Sequence, residues 1–491
     1  VNRNKSTEQR LGIEWDKNNL LNNYLFNILT QFGAALVSFF IVWTITRYSG
    51  TEILAVTVAV TAGSQVAVLF CNWTSIAVIR LGGEEYINTH GISFIFSART
   101  VILLFNIAAL ILLYPLWNNF LTSLLKIPGD TGPYLLCQFV LMSILSHFTA
   151  GLQAVKLLRL QGVLLLLEKG ISLVIILLVY FFFNISWQNI MVAYLIAVAV
   201  SCICSFFLLR KYFLFRIERK HLKQVLYFSF PLLPYGITAF LSTNYLDTFF
   251  ISNYLERNDL GIYSVAYQFY GVWSQLPTIL GGLMMPMFLS YLVRNHLHVV
   301  ERFLKESMHI VVLIWTMLSA ILAFALCIII PEAFNINHPQ LNSILIIFIL
   351  GTAFLIPNFI GFNPYILARK VVFFAFPLTI ITAGLNLLGN FLLIPKYGLI
   401  GSTYSTILSM LTGFIATYFF LTYYFRVNAI RCVMSLAPAL LGILLCFWIS
   451  NILVILGSVL FSALLLLFLY RNNFESVIGF LKNSLHTRSI V

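Results

Sequence analysis

The stretch SMHIVVLIWTMLSAILAFALCIII, residues 307–330, contains no Asp, Glu, Lys or Arg. A hydrocarbon core about 30 Å thick is crossed by about 20 predominantly apolar residues in helical form, so this run reads as a membrane span. Similar runs precede it at 24–46, 53–79, 94–117, 134–155, 162–183, 187–209, 225–252 and 262–291, and follow it at 342–367, 371–394, 400–425, 433–450 and 452–470. The chain of 491 residues is 60% hydrophobic and 9% charged, where a soluble domain carries about 25% charged residues. The expected fold class is an all-α membrane protein with about fourteen transmembrane helices.

Six spans precede the longest basic segment, RKYFLFRIERKHLKQ (Arg210–Gln224), and six follow it before a closely set final pair. The expected organisation is an N-terminal six-helix lobe over 1–209, a cytoplasmic basic linker over 210–224, a C-terminal six-helix lobe over 225–425, and an additional helix pair with a cytoplasmic tail over 426–491. Each half opens with a long hairpin, whose turns read TRYSGTEILAV (46–56) and SNYLERNDLGIYSV (252–265). Six spans per half give both halves the same orientation. Two pseudo-symmetric lobes would then be related by an axis along the membrane normal, with substrate bound between them.

Positively charged loops resist translocation and stay cytoplasmic. Of the 29 Lys and Arg residues, Arg47, Lys126, Arg257 and Lys396 fall on one side of this arrangement and Arg99 and Lys169 lie inside spans. All the others fall on the opposite side, which is read as cytoplasmic and holds both termini. The net charge of +13 is then an orientation signal and an attraction to anionic lipid, about 1 kcal/mol per basic residue near the surface. Nucleic acid is not an expected partner. The linker interleaves aromatic and basic residues and is expected to lie on the membrane as an amphipathic helix. Val1–Asn23 is polar and mixed in charge, so no cleavable signal peptide is expected ahead of the first span. The seven cysteines fall mostly in apolar runs and read as small packing residues rather than disulfides or metal ligands.

Ionisable groups inside spans carry the most information, because a charge at mid-bilayer costs about 2.5–3.5 kcal/mol on insertion scales. They are Arg99, His147, Glu168, Lys169 and Asp247, with Arg47 and Arg80 near span ends on opposite sides. Arg99 reads either as an anion site facing a central cavity or as the partner of Glu168 or Asp247 in a structural ion pair. Glu168 and Lys169 are adjacent, so on a helix they diverge by roughly 100° and are not expected simply to satisfy each other. Lys169 either faces the cavity or snorkels toward the end of its span. Asp247 reads as a proton acceptor in a conformational cycle or as a hydrogen-bonded packing anchor, and His147 as a packed polar residue or a proton relay. Pro231, Pro234, Pro277, Pro286, Pro357, Pro364 and Pro377 each remove a helical hydrogen bond, so kinks are expected in the second half.

No long extracytoplasmic loop gathers carboxylates or histidines for acid and base chemistry, and no Walker A sequence supports direct ATP coupling. An enzyme is not expected, and neither a cofactor nor a metal is implied.

Four further segments carry a family resemblance. LDTFFISNYLERNDLGIYSVAYQF (Leu246–Phe269) resembles the signature of polysaccharide flippases in the multidrug/oligosaccharidyl-lipid/polysaccharide exporter superfamily. LNLLGNFLLIPKYGLIGSTYSTILS (Leu385–Ser409) is similar to that family's N-x-x-L-N-x-x-L-I-P-x-x-G-x-x-G-A-A element, with Ser402 and Thr403 in place of the usual alanines. PNFIGFNPYILARK (357–370) and FPLLPYG (230–236) resemble the segment joining its tenth and eleventh spans and the opening of its seventh span.

The resemblance implies two six-helix lobes around a V-shaped cavity in the bacterial cell inner membrane. It further implies alternating access that carries an undecaprenyl-diphosphate-linked oligosaccharide from the cytoplasmic to the outer leaflet for surface polysaccharide synthesis. Membrane lipids, a polysaccharide polymerase and a chain-length regulator are the implied partners, with coupling to H+ or Na+. The diphosphate suits the cationic set Arg47, Arg80, Arg99 and Lys169, while Asp247 and Glu168 are candidates for coupling or gating. The final helix pair reads either as a groove for the lipid tail or as support for its lobe. A cation-coupled antiporter on the same scaffold would favour an acidic cavity, and the buried bases here match or exceed the buried acids. A membrane glycan polymerase or ligase would need the large loop that this sequence lacks.

Overall fold

The computed structural model describes residues 17–183, 185–230, 244–293, 296–369 and 375–471, together with Leu233, Ile237, Phe240, Leu241 and Val371. Pro231, Pro234, most of the FPLLPYG segment, and the basic residues Arg3, Lys5, Arg10, Arg294, Lys370, Lys482 and Arg488 lie outside them.

The chain is an all-α multi-pass membrane protein. The first six long helices are α1 (Lys17–Ser49), α2 (Thr51–Asn72), α3 (Ser93–Leu112), α4 (Gly132–Ala154), α5 (Leu158–Phe182) and α6 (Trp187–Leu209). A short helix, α7 (Arg219–Ser229), leads to α8 (Asn244–Tyr254), α9 (Arg257–Val293), α10 (Met308–Phe334) and α11 (Leu341–Gly351). The last four are α12 (Ala375–Tyr397), α13 (Leu399–Tyr424), α14 (Ala437–Trp448) and α15 (Ile452–Leu469). Among the described residues, 12 helices are long and apolar enough to cross a membrane. The expected pair at 225–252 and 262–291 is not among them. Part of the first lies outside the described residues, as do several side chains in the apolar second half of the other.

Helices α1–α6 pack chiefly on one another, α1 against α5 and α4 against α6, while α8–α15 form a second group in which α12 and α13 pair closely. The groups meet where α2 packs on α8 and α9, and where α1 packs on α9 and α10. At 33 residues, α1 runs ~50 Å, well beyond the thickness of the hydrocarbon.

The run expected at 53–79 breaks after Asn72, whose carbonyl accepts from Ser75 Oγ at 2.7 Å across the break. It resumes as a π turn over Val78–Gly82 and a short helix, Gly83–Thr89. Glu85 then caps α3, its two carboxylate oxygens each taking a backbone N–H, of Phe94 and Ile95, at 2.9 Å. The linker is helical only from Arg219. Before that its extended backbone crosses the start of α3, with the Leu214 and Arg216 amides donating to Ser93 Oγ and Ser97 Oγ. α7 is amphipathic as expected, burying Val225 and Ser229 and exposing Lys220 and Lys223.

The expected kinks concentrate in the helix that α11 begins. It passes through a 3-10 turn (Thr352–Phe354) and a π turn (Pro357–Phe362) before Asn363–Ala368, with Pro357 and Pro364 at the irregular steps. Pro277 lies within the continuous α9. The final pair α14–α15 docks on α10 and α11, with Gly442 seated against Val459 and Leu350.

The IPKYGLIG element (394–401) has a mechanical explanation. Gly398 joins α12 to α13 at φ 63 and ψ −140, a conformation that side chains with a Cβ strongly disfavour. A Cβ on Gly401 would run into the Leu393 backbone, so the missing side chain lets α12 and α13 close together. Gly398→Ala should lower stability by about 1–3 kcal/mol, read as a fall in the thermal unfolding midpoint of the detergent-solubilised protein. Gly384→Ala, which meets nothing within 4 Å, should leave the midpoint in place, and equal effects of the two changes would remove this account of the turn.

Candidate functional site

Two adjoining hollows of about 370 Å³ and about 230 Å³ lie along the inner face of α1, α2, α4 and α5. They share Met142, Glu168 and Lys169. The smaller also reaches Tyr245 of α8 and Gln268 of α9, so it spans the boundary between the helix groups. Together they form one chamber. Its lining is rich in carboxamides and hydroxyls, including Asn27, Gln31, Gln65 and Gln161 in one hollow and Thr61 and Gln138 in the other.

The only ionised pair in this lining is Glu168 with Lys169, whose Nζ donates to Glu168 Oε1 at 2.9 Å. This corrects the expectation that adjacent helical positions keep the two apart. Their Cβ atoms do diverge, but the flexible lysine stem bends back far enough to close the gap. Lys169 thus faces the chamber, already engaged.

The four cations expected to share an anion are not gathered there. Arg99 is fully buried, and its guanidinium bonds His147 Nδ1, Asn72 Oδ1 at 2.9 Å and Ser75 Oγ at 2.6 Å. None of these partners is a carboxylate, so the expected ion pair with Glu168 or Asp247 does not form. Instead Arg99 ties α3 to the break after α2, while His147, also donating to or accepting from Thr100, stacks on Phe96. Arg80 is exposed at the end of the bundle that carries the linker, 3.7 Å from Glu84 and 5.7 Å over the Phe228 ring.

Arg47 sits at the opposite, far end. There α10 finishes with Asn335 in the left-handed region, its N–H on the Glu332 carbonyl and the Ile336 N–H on the Pro331 carbonyl. Trp43 Nε1 donates to the Ala333 carbonyl at 3.0 Å and Arg47 to the Glu332 carbonyl at 3.0 Å. Four residues apart, Trp43 and Arg47 share a face of α1, Trp43 serving the Ala333 carbonyl and Arg47 adding a second donor to the Glu332 carbonyl at this helix C-terminus. A second exchange lies beside it. Lys126 Nζ donates to the Asn253 carbonyl at the end of α8, and Arg257 donates to the Lys126 carbonyl at 2.8 Å, which ends the short helix Tyr114–Leu125. Thr51 bonds Asn258, and a Cβ on Gly261 would strike the Thr51 carbonyl. The two helix groups are thus sealed at the far end.

Asp247, on α8, is 1% exposed and is held by donors from three other helices, α9, α12 and α13. Oδ1 accepts from Asn390 Nδ2 at 2.6 Å and Asn386 Nδ2 at 3.3 Å, while Oδ2 accepts from the Tyr263 hydroxyl at 2.5 Å and Thr406 Oγ1 at 3.1 Å. Ser405 Oγ lies against Asn386, 2.8 Å from its main-chain carbonyl and 3.1 Å from its Oδ1. The carboxylate uses its four acceptor positions on neutral donors. Sequence reasoning singled out Asp247 but missed the cage. The signal was present in the spacing of Asn386 and Asn390, four apart in an apolar helix and so on one face. The chamber amides were missed because charge was the search criterion.

Residues 93–334 match the family described as "Polysaccharide biosynthesis protein". No curated protein matches the chain in sequence. Among solved structures, the lipid II flippase MurJ in its inward closed conformation is similar over 91% of this chain and 99% of its own, with 16% identity and a TM-score of 0.67. An inward-facing multidrug resistance MATE family transporter of the MOP superfamily is similar over 84% of this chain and 95% of its own, with 13% identity and a TM-score of 0.55. A Vibrio cholerae MATE transporter is similar over 83% and 96%, with 16% identity and a TM-score of 0.52. These neighbours are transporters rather than enzymes. The family match spans just under half of the chain, and the likeness to MurJ and to the MATE transporters shows a shared fold.

Proposed function

We propose that the protein moves undecaprenyl-diphosphate-linked oligosaccharide repeat units from the cytoplasmic to the outer leaflet of the bacterial inner membrane, for O-antigen, capsule or exopolysaccharide synthesis. The reading rests on one observation above all. A chamber that carries carboxamides, hydroxyls and one ion pair reaches the boundary between the two helix groups, and the groups are joined at the far end by hydrogen bonds from Trp43, Arg47, Lys126 and Arg257. In this reading α1–α6 and α8–α15 are two lobes, the linker end is cytoplasmic, and the lobes rock to expose the chamber to each leaflet in turn. Surface polysaccharide polymerase and chain-length regulator act on the delivered unit.

Lys169 is the cation placed to receive a phosphate oxygen in exchange for Glu168. Asp247, caged by neutral donors and remote from any basic side chain's hydrogen bond, is the coupling residue for H+ or Na+. The far-end seal is made to open, since its cations hold main-chain carbonyls that water can serve equally well.

In a host lacking the protein, complementation by Lys169→Ala should reduce export by about tenfold or more, with lipid-linked units accumulating in the inner leaflet and protein abundance unchanged. Full export by that variant would take Lys169 out of the substrate path. In proteoliposomes, Asp247→Asn should preserve the fold but make transport indifferent to an imposed proton or sodium gradient; an unaltered gradient response would exclude Asp247 from coupling. Combining Lys126→Ala with Arg257→Ala should expose the far end. A cysteine at Thr57, buried in the chamber wall, should then react faster with a membrane-impermeant maleimide added outside, and an unchanged rate would refute the seal.

A further inference from the structure

The chamber's charge is balanced before any substrate arrives. Among the described residues, Glu168 and Lys169 are its only charged lining residues, and they neutralise each other at 2.9 Å. The rest of its polar lining consists of carboxamides and hydroxyls. Asn27, Gln31, Gln65 and Gln161 surround the larger hollow, and Gln138 and Gln268 line the smaller. Gln138 is held in place, accepting from Ser64 Oγ at 3.0 Å and donating to Thr61 Oγ1 at 3.2 Å. Asn27 Oδ1 is buried at the wall without a hydrogen-bond partner among the described residues. Such a group is costly to leave unsatisfied and is an acceptor awaiting a donor.

We propose that this chamber selects an electrically neutral glycan, read through its carboxamides, and discriminates against sugars that carry a carboxylate. The inference rests on the flippase reading above and names its substrate class. Each carboxamide offers two donors and one acceptor, which matches both a sugar hydroxyl and an acetamido group. A neutral oligosaccharide can therefore trade its water for side chains one bond at a time. An acidic sugar meets a different environment. The single lysine is committed either to Glu168 or to the diphosphate, so a uronate finds no free counter-charge, and the Glu168 carboxylate repels it.

The test uses the full-length protein in lipid nanodiscs and three probes. They are undecaprenyl diphosphate alone, the same lipid bearing a neutral trisaccharide of hexose and N-acetylhexosamine, and that trisaccharide with one residue replaced by a uronic acid. The neutral glycolipid should bind about tenfold or more tighter than the acidic one. Gln161→Leu should weaken the neutral glycolipid while leaving undecaprenyl diphosphate unchanged. Glu168→Gln, which frees Lys169 without altering the wall's shape, should narrow the gap between neutral and acidic probes. Equal or tighter binding of the acidic glycolipid by the unmodified protein overturns the proposal and leaves the flippase reading standing. Failure of every lipid-linked probe to bind overturns both.

Discussion

A hydrogen-bonding group inside hydrocarbon has no water to fall back on, and each one left unpaired costs several kcal/mol. This constraint explains why the buried polar residues occur in closed sets. Asp247 draws one donor from α8's neighbour α9, two from α12 and one from α13. Arg99 draws acceptors from the break after α2 and from α4. Neither set contains an opposite charge, so both answer a full charge with dipoles fixed by the backbone. The helices that supply these dipoles are thereby held in register, and the tight turn at Gly398, which brings α13 against α12, is what lets Asn386, Asn390 and Thr406 reach one carboxylate.

The same constraint governs the far end. A helix terminus leaves carbonyls with acceptor capacity to spare, and here three, on Lys126, Asn253 and Glu332, take a cation from across the boundary between helix groups. Charge on the less basic side of the sequence is therefore not scattered. Arg47, Lys126 and Arg257 all act at helix C-termini, where the macrodipole favours positive charge. Because the acceptors are main-chain atoms, side-chain changes at Asn253 or Glu332 need not disturb the contact, whereas the donors cannot be replaced by short side chains.

Span-level structure was legible because it follows from composition: any run of apolar residues long enough to cross a bilayer announces itself. Boundaries were less so. Asn72 and Ser75 look unremarkable within 53–79, yet α2 ends between them, and only the folded chain shows that Arg99 fastens on that break. The grouping of Arg47, Arg80, Arg99 and Lys169 failed for a related reason. A linear sequence gives depth in the membrane but not which way a helix face turns, and these four occupy the far end, the linker end, a buried packing site and the chamber. Glu168 with Lys169 misled differently, since backbone geometry was allowed to speak for side chains several bonds long.

The pairing of Glu168 with Lys169 also bears on how a cycling transporter tolerates an empty chamber. A cation dedicated to a phosphate would stand unpaired in the chamber wall during every return without cargo, which is unfavourable for a half-buried charge. A resident carboxylate removes that penalty by occupying the lysine when the substrate is absent. It also sets a threshold, because any incoming anion must outcompete a partner already held at 2.9 Å. A diphosphate with several oxygens can do so, whereas a single carboxylate on a sugar offers Lys169 nothing that Glu168 does not already provide. The chamber is thus neutral at rest for the same reason that the Asp247 cage is closed: in an apolar surround, charge is kept only where its partner is already in place.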